Sequence, residues 1–162
     1  MKSRRTMPLK ETVELLNAIP IFDSLNHADI RAFSKYLGAC TASAGDTIFS
    51  EGAQGDAVYF IAEGTVEIVK TSSSDGEAVI ARLGRGRSLG EMAIIDDYSR
   101  SATARAVKKT VMAVLTKEMF ELVLEDHPAV GVKILRGIAR QLSLSLRMTS
   151  SSLADFLPPD ER

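Results

Sequence analysis

What the chain lacks removes several classes of function before any motif is considered. Cys40 is its only cysteine, so there is no disulfide framework and no cysteine-rich metal site, and nothing points to an oxidising compartment. A cytoplasmic location is the expectation. There is no excess of one charge: 20 Lys and Arg stand against 21 Asp and Glu, a formal net charge of -1. The whole-molecule field that attracts nucleic acid is therefore missing, and specific DNA binding is not expected. No stretch approaches the roughly 20 apolar residues of a membrane span, and no long apolar run follows the basic residues Lys2, Arg4 and Arg5. Those three charges read as a frayed terminus. His27 and His127 are isolated, Asp96-Asp97 lacks the spaced ligands of a metal loop, and no nucleophile and base can be paired. Neither an enzyme nor a metal protein is expected.

What is present fits one domain spanning 1–162. With 162 residues, 45% of them hydrophobic and 25% charged, the chain can bury one proper core. A helical lead-in covers about 9–38. Leu9, Val13 and Leu16 carry a 3.6-residue period that Pro20 stops, and Asn26 caps a second helix bearing Ile30, Phe33, Tyr36 and Leu37, with Gly38 near its end. From about 39 to 115 short β-branched and aromatic runs (Thr47-Ile48-Phe49, 57–61, 66–69, 78–83, 110–115) are broken by Gly45, Gly52, Gly55 and Gly64. They predict an antiparallel sheet with a polar hairpin tip at 71–76. Helices return over about 116–152, the first capped by Thr116 and the last opening at Pro128 and running to about 151. On the last helix Leu135, Ile138, Leu142, Ser145 and Thr149 form a seam of spacing 3, 4, 3 and 4. A seam of this kind wants a partner, and a homodimer through this helix is one expectation. A tail over 153–162 carries Leu153, Phe156 and Leu157 ahead of Pro158-Pro159.

One stretch, 89–104, has the composition of an anion site. Gly90 allows close backbone approach and opens a helical turn over 91–94 whose free N–H groups suit a phosphate. Glu91 can accept hydrogen bonds from a sugar hydroxyl. Arg100 supplies a planar fork of donors, and Ser101 adds a hydroxyl beside it. Taken alone, these are also the ordinary charges of a surface turn and strand. The Gly-rich loop Gly84-Arg85-Gly86-Arg87-Ser88 just before has no Walker spacing and is no P-loop.

Gly90-Glu91-Met92-Ala93 and Arg100-Ser101-Ala102-Thr103, at their observed separation, resemble the phosphate-binding cassette of cyclic nucleotide-binding domains. The run from Ala44 to Ile68 resembles the first half of the same family's β-barrel. This resemblance implies a mainly β fold of the α+β class: an antiparallel jelly-roll barrel with N-terminal helices, a short cassette helix and C-terminal helices. It implies that Glu91 meets the ribose 2′-hydroxyl and Arg100 the cyclic phosphate, with Gly90, Met92, Ala93, Ser101 and Ala102 around them. Leu89, usually aromatic in the family, and Tyr98-Ser99, often Gly-Pro, depart from the pattern without removing a binding group. By the same resemblance Ser145 aligns with a base-contacting threonine, while Leu146 replaces a neighbouring serine.

The implied role is a stand-alone cAMP sensor that passes a movement of its last helix to an effector protein. cGMP is the alternative ligand, and a cyclic dinucleotide would use Arg85 and Arg87 for a second phosphate. The bacterial regulators most like this chain continue into a helix-turn-helix, for which 153–162 leaves no room. Met1 and this tail favour a complete chain over a fragment of a channel, kinase or transcription factor.

Overall fold

Ala57 to Ala62 are six apolar residues in a row and cannot alternate between core and solvent. The chain meets this by burying both faces of one strand: all six are buried, and Glu63 marks the first exposed position. The structure, a computed structural model, describes residues 2–5, 7–72 and 76–156. Among these residues nine strands form two antiparallel sheets. The first runs in the order β1 (Lys2–Arg5), β2 (Gly38–Ala42), β9 (Thr110–Thr116), β4 (Ala57–Glu63) and β7 (Ser88–Leu89). The second runs β3 (Thr47–Phe49), β8 (Thr103–Ala106), β5 (Val66–Ser72) and β6 (Gly76–Leu83). This is the expected jelly roll, built as two facing sheets.

Strand β4 divides the core in two. Ala57, Tyr59 and Ile61 face the second sheet and meet Ile48, Val66, Leu89, Ala104 and Met112. Val58, Phe60 and Ala62 point the other way, onto the helices. There α1 (Leu9–Asn17) contributes Leu15 and Leu16, and α2 (His27–Phe33) contributes Ile30 and Phe33. Phe22 bridges the layers, its ring centroid 5.2 Å from that of Phe33 and 5.1 Å from that of Phe60. Asn26 caps α2 through a reciprocal pair: its side chain accepts from the Asp29 amide at 2.9 Å, and its own amide donates to the Asp29 carboxylate at 3.0 Å.

Two boundaries and one terminus depart from the sequence reading. Gly38 opens β2 instead of closing a helix, because the helical lead-in finishes as a turn over Ser34–Tyr36. The basic segment expected to fray is strand β1, paired antiparallel with β2 (Lys2↔Thr41, Arg5↔Ala39). Without it β2 would present an open row of donors and acceptors at the sheet edge. The 71–76 hairpin forms, with Ser72 opposite Gly76, while Ser73–Asp75 lie outside the described residues. So do Leu157, Pro158 and Pro159 of the expected tail.

The last two helices are α3 (Lys117–Asp126), capped by the Thr116 hydroxyl, and α4 (Pro128–Phe156), five residues longer than the 151 limit read from the sequence. The 29 residues of α4 span roughly 43 Å. Its two halves differ. Val130, Ile134 and Ile138 are buried against the core, whereas every residue from Ser143 to Asp155 is exposed. Gly137 sets the contact: a Cβ there would stand 2.0 Å from the Ile21 carbonyl oxygen. Gly137→Ala should therefore destabilise the protein by about 1 to 3 kcal/mol through overpacking, although alanine is the better helix former by about 1 kcal/mol. Urea unfolding decides the sign. A stabilised variant would show that α4 is not seated on Ile21.

Candidate functional site

Two glycines allow the site to close around a buried cation. Gly90 lies between β7 and a short turn over Glu91–Ile94, at φ 77°, where an L side chain is strained. A Cβ on Gly90 would come within 2.2 Å of Arg100 Nη1. Gly55 would place one 2.7 Å from the Ala93 Cβ and 3.2 Å from Arg100 Nε. Both positions must be bare for the Arg100 side chain to fold inward. The backbone follows it: the Arg100 amide donates to the Ala53 carbonyl and its carbonyl accepts from Gly52, each at 2.8 Å.

Arg100 is only 7% exposed. Nη2 donates to the Ala57 carbonyl at 2.8 Å and Nη1 to the Gly90 carbonyl at 3.2 Å, while the guanidinium carbon lies 4.1 Å from the centroid of the Phe49 ring. Burial pushes its pKa below the ordinary value, and Tyr59 and the Asp56 carboxylate act the other way. Arginine keeps its charge under such a shift. Nε is buried with no hydrogen-bond partner among the described residues. A cation so placed, giving only two of its five N–H groups to carbonyls, fits an anion as its missing partner.

Arg100 lines a cavity of about 220 Å³ together with Gly90, Glu91, Met92, Ala93, Ser101 and Ala102. Seven of the eight residues anticipated from the sequence thus share one wall system. Ser145 does not line it: that residue is on the exposed half of α4, where its carbonyl accepts from the Thr149 hydroxyl. Tyr98, 80% exposed, and Met92, 47% exposed, also line it, as do Ile68 and Leu83. Arg85 and Arg87 are exposed and outside the cavity lining, and Arg85 donates to the Ala62 carbonyl at 2.9 Å.

Three contributors were not legible in the sequence. Gly55 read only as a turn glycine, and Phe49 only as a strand residue. Gln141 on α4 carried no signal, yet its Nε2 lies 2.9 Å from Glu91 Oε1 and 2.9 Å from Ser88 Oγ. Ser101 is held from outside, its carbonyl accepting from Lys70 Nζ at 2.6 Å; Lys70 in turn pairs with Glu51 at 2.9 Å. Among the described residues no group of three or more His, Cys, Asp or Glu gathers as a metal site. No helix among them is long and apolar enough to cross a membrane.

Glu91 is half-buried, and burial pushes its carboxyl above the ordinary carboxylate range, opposed by its own amide, by Gln141 and by the charge of Arg87. A carboxyl raised on folding contributes most stability below its unfolded value of about 4.3 and loses it as pH climbs through the folded value. Glu91→Gln removes the buried charge and keeps an acceptor for Gln141. The variant should therefore melt higher than wild type at pH 7, the gap closing as pH falls into the carboxylate range. Thermal melts across that range check this, and a gap independent of pH would contradict it.

The family model of the cyclic nucleotide-binding domain matches residues 40–127. The chain is 28% identical over 147 residues to the CRP-like cAMP-activated global transcriptional regulator of Mycobacterium tuberculosis, covering 91% of this chain and 64% of that one. It is 31% identical over 100 residues to lysophospholipase NTE1 of Chaetomium globosum, which is 62% of this chain and 7% of that one. The chain thus spans less than two thirds of the length of these relatives. A crystal structure of a cyclic nucleotide-binding domain from Methylobacillus flagellatus superimposes with a TM-score of 0.82 at 28% identity, covering 93% of this chain and 85% of that one. By fold and by a match that contains the whole cavity wall from Phe49 to Ala102, this chain belongs to the cyclic nucleotide-binding domain family.

Proposed function

We propose that the cavity binds cAMP and that the chain, one domain over 1–162, is a sensor and not an enzyme. The observation that carries this reading is the buried Arg100 guanidinium, its Nε unpartnered, on the same cavity wall as Glu91. Arg100 meets the cyclic phosphate beside Gly90, Ala93, Ser101 and Ala102, and Glu91 accepts from the ribose 2′-hydroxyl. Met92 and Ile68 supply apolar surface. The choice of cAMP rests on Ser101, compatible with it, and on the cAMP-activated regulator among the relatives. cGMP and cyclic di-GMP are the competing ligands.

Output goes through α4. Its exposed half carries Leu144, Leu146, Met148 and Leu153, more apolar surface than a solvated helix needs. Leu142, Leu146, Thr149 and Leu153 fall at spacings of 4, 3 and 4, a better seam than the one through Ser145 and suited to a second copy of the same helix. Movement of this half, with Ser145 reaching the purine, passes occupancy to an effector protein in the cytoplasm. The near-zero net charge supports a protein effector over sequence-specific DNA.

Calorimetric titration with cAMP, cGMP and cyclic di-GMP tests the reading, cAMP being expected to bind most tightly. Arg100→Ala should lose about 2 to 5 kcal/mol, or roughly thirtyfold to several thousandfold in affinity, because it strips the anion of its buried counter-charge. A loss below about threefold, far under the 1.4 kcal/mol that tenfold requires, would remove Arg100 from the site.

A further inference from the structure

Gln141 is the one side chain of α4 hydrogen-bonded to residues that line the cavity, among the described residues. Its amide nitrogen is shared between Glu91 Oε1 and Ser88 Oγ, each at 2.9 Å, and the residue sits one turn past the last fully buried anchor of the helix, Ile138. Beyond it the helix has only the half-buried Leu142 before every position from Ser143 to Asp155 is exposed. The bond therefore stands at the junction between the seated and the free halves of α4.

Resting on the proposed cyclic nucleotide site, we infer that Gln141 is a positioning residue that makes the site read the ribose 2′-hydroxyl and reports that hydroxyl to α4. The argument is one of acceptor count. An ionised carboxylate has two oxygens and about four lone-pair directions, so donors from Gln141 on Oε1 and from the Glu91 amide still leave acceptor capacity for the sugar. The fixed donor also holds the carboxylate in one rotamer, sparing the ordering that a free Glu side chain would undergo when the hydroxyl arrives. Gln141 suits this task because it donates without adding charge. A lysine in its place would neutralise Glu91, and a carboxylate would repel it. Since Gln141 belongs to α4, whatever the bond adds to sugar affinity is returned as affinity of α4 for its seat. A nucleotide lacking the 2′-hydroxyl makes no use of the positioned oxygen.

Titrations of cAMP and 2′-deoxy-cAMP into wild type and Gln141→Met, which keeps length and volume but removes the donor, test the inference. Gln141→Met should weaken cAMP about tenfold, the scale of one hydrogen bond to a charged group, and move 2′-deoxy-cAMP by less than about twofold. In a Glu91→Ala background the same change should have no further effect on either nucleotide. Equal losses for the two nucleotides, or a loss that persists without Glu91, would reduce Gln141 to helix packing. Tighter cAMP binding by Gln141→Met would make it a competitor of the sugar, which also overturns the inference. If Gln141→Met does not fold, Gln141→Ala gives the same comparison. Wild type separates the two readings: if it binds neither nucleotide the cyclic nucleotide site falls and this inference with it, whereas cAMP binding with the wrong variant pattern overturns the inference alone.

Discussion

The guanidinium of a residue only 7% exposed in the wall of a β-sandwich must find hydrogen-bond acceptors, and Arg100 finds them in backbone, because no carboxylate salt-bridges it among the described residues. Much of the local architecture follows from this. The Ala57 carbonyl is available because β4 begins there, and the Gly90 carbonyl because β7 ends there. Close approach of those two carbonyls to one side chain excludes Cβ atoms at Gly55 and Gly90. The Phe49 ring covers one face of the cation. Nε and the second N–H of each Nη have no acceptor among the described residues, which leaves the arrangement incomplete by itself and complementary to an anion.

The same strand that accepts from Arg100 also ties the site to the helices. Tyr59 on one face of β4 packs within the sandwich, its ring 6.0 Å from that of Phe49, while Phe60 on the other face packs against Phe22 beneath the helices. Dense packing on both faces makes β4 a poor moving part. Displacement is left to elements with few anchors, and the distal half of α4 has the fewest. Among the described residues the polar link between α4 and the cavity lining runs from Gln141, at the base of this half, to Glu91 and Ser88 and not to Arg100.

Much of this was legible in the sequence where local chemistry decides the outcome. The capping pair at Asn26 and Asp29, the Thr116 cap, the glycine-punctuated strands and the cassette spacing each depend on residues within a few positions of one another. Seven of the eight candidate binding residues line one cavity, and they fall within one 13-residue stretch, Gly90 to Ala102. Long-range partners were not legible. Nothing in Gln141 announces Glu91, 50 residues away, and nothing in Gly55 distinguishes it from the turn glycines Gly45 and Gly52, which have nothing within 4 Å of an added Cβ. The basic segment at Lys2–Arg5 read as frayed because charge pattern describes solvation, while strand pairing depends on an edge, β2, that only the folded sheet creates.

The central claim is that filling the cavity changes the state of α4. A ligand shifts such an equilibrium only by binding one state better than the other, and about 1 to 3 kcal/mol of coupling moves the balance five- to 150-fold. Amide hydrogen exchange with and without saturating cAMP measures this directly. Protection should rise across Gly90 to Ala104 and change in parallel, over the same ligand concentrations, from Leu135 to Thr149. Exchange in α4 that stays unchanged while the cassette becomes protected would contradict the claim.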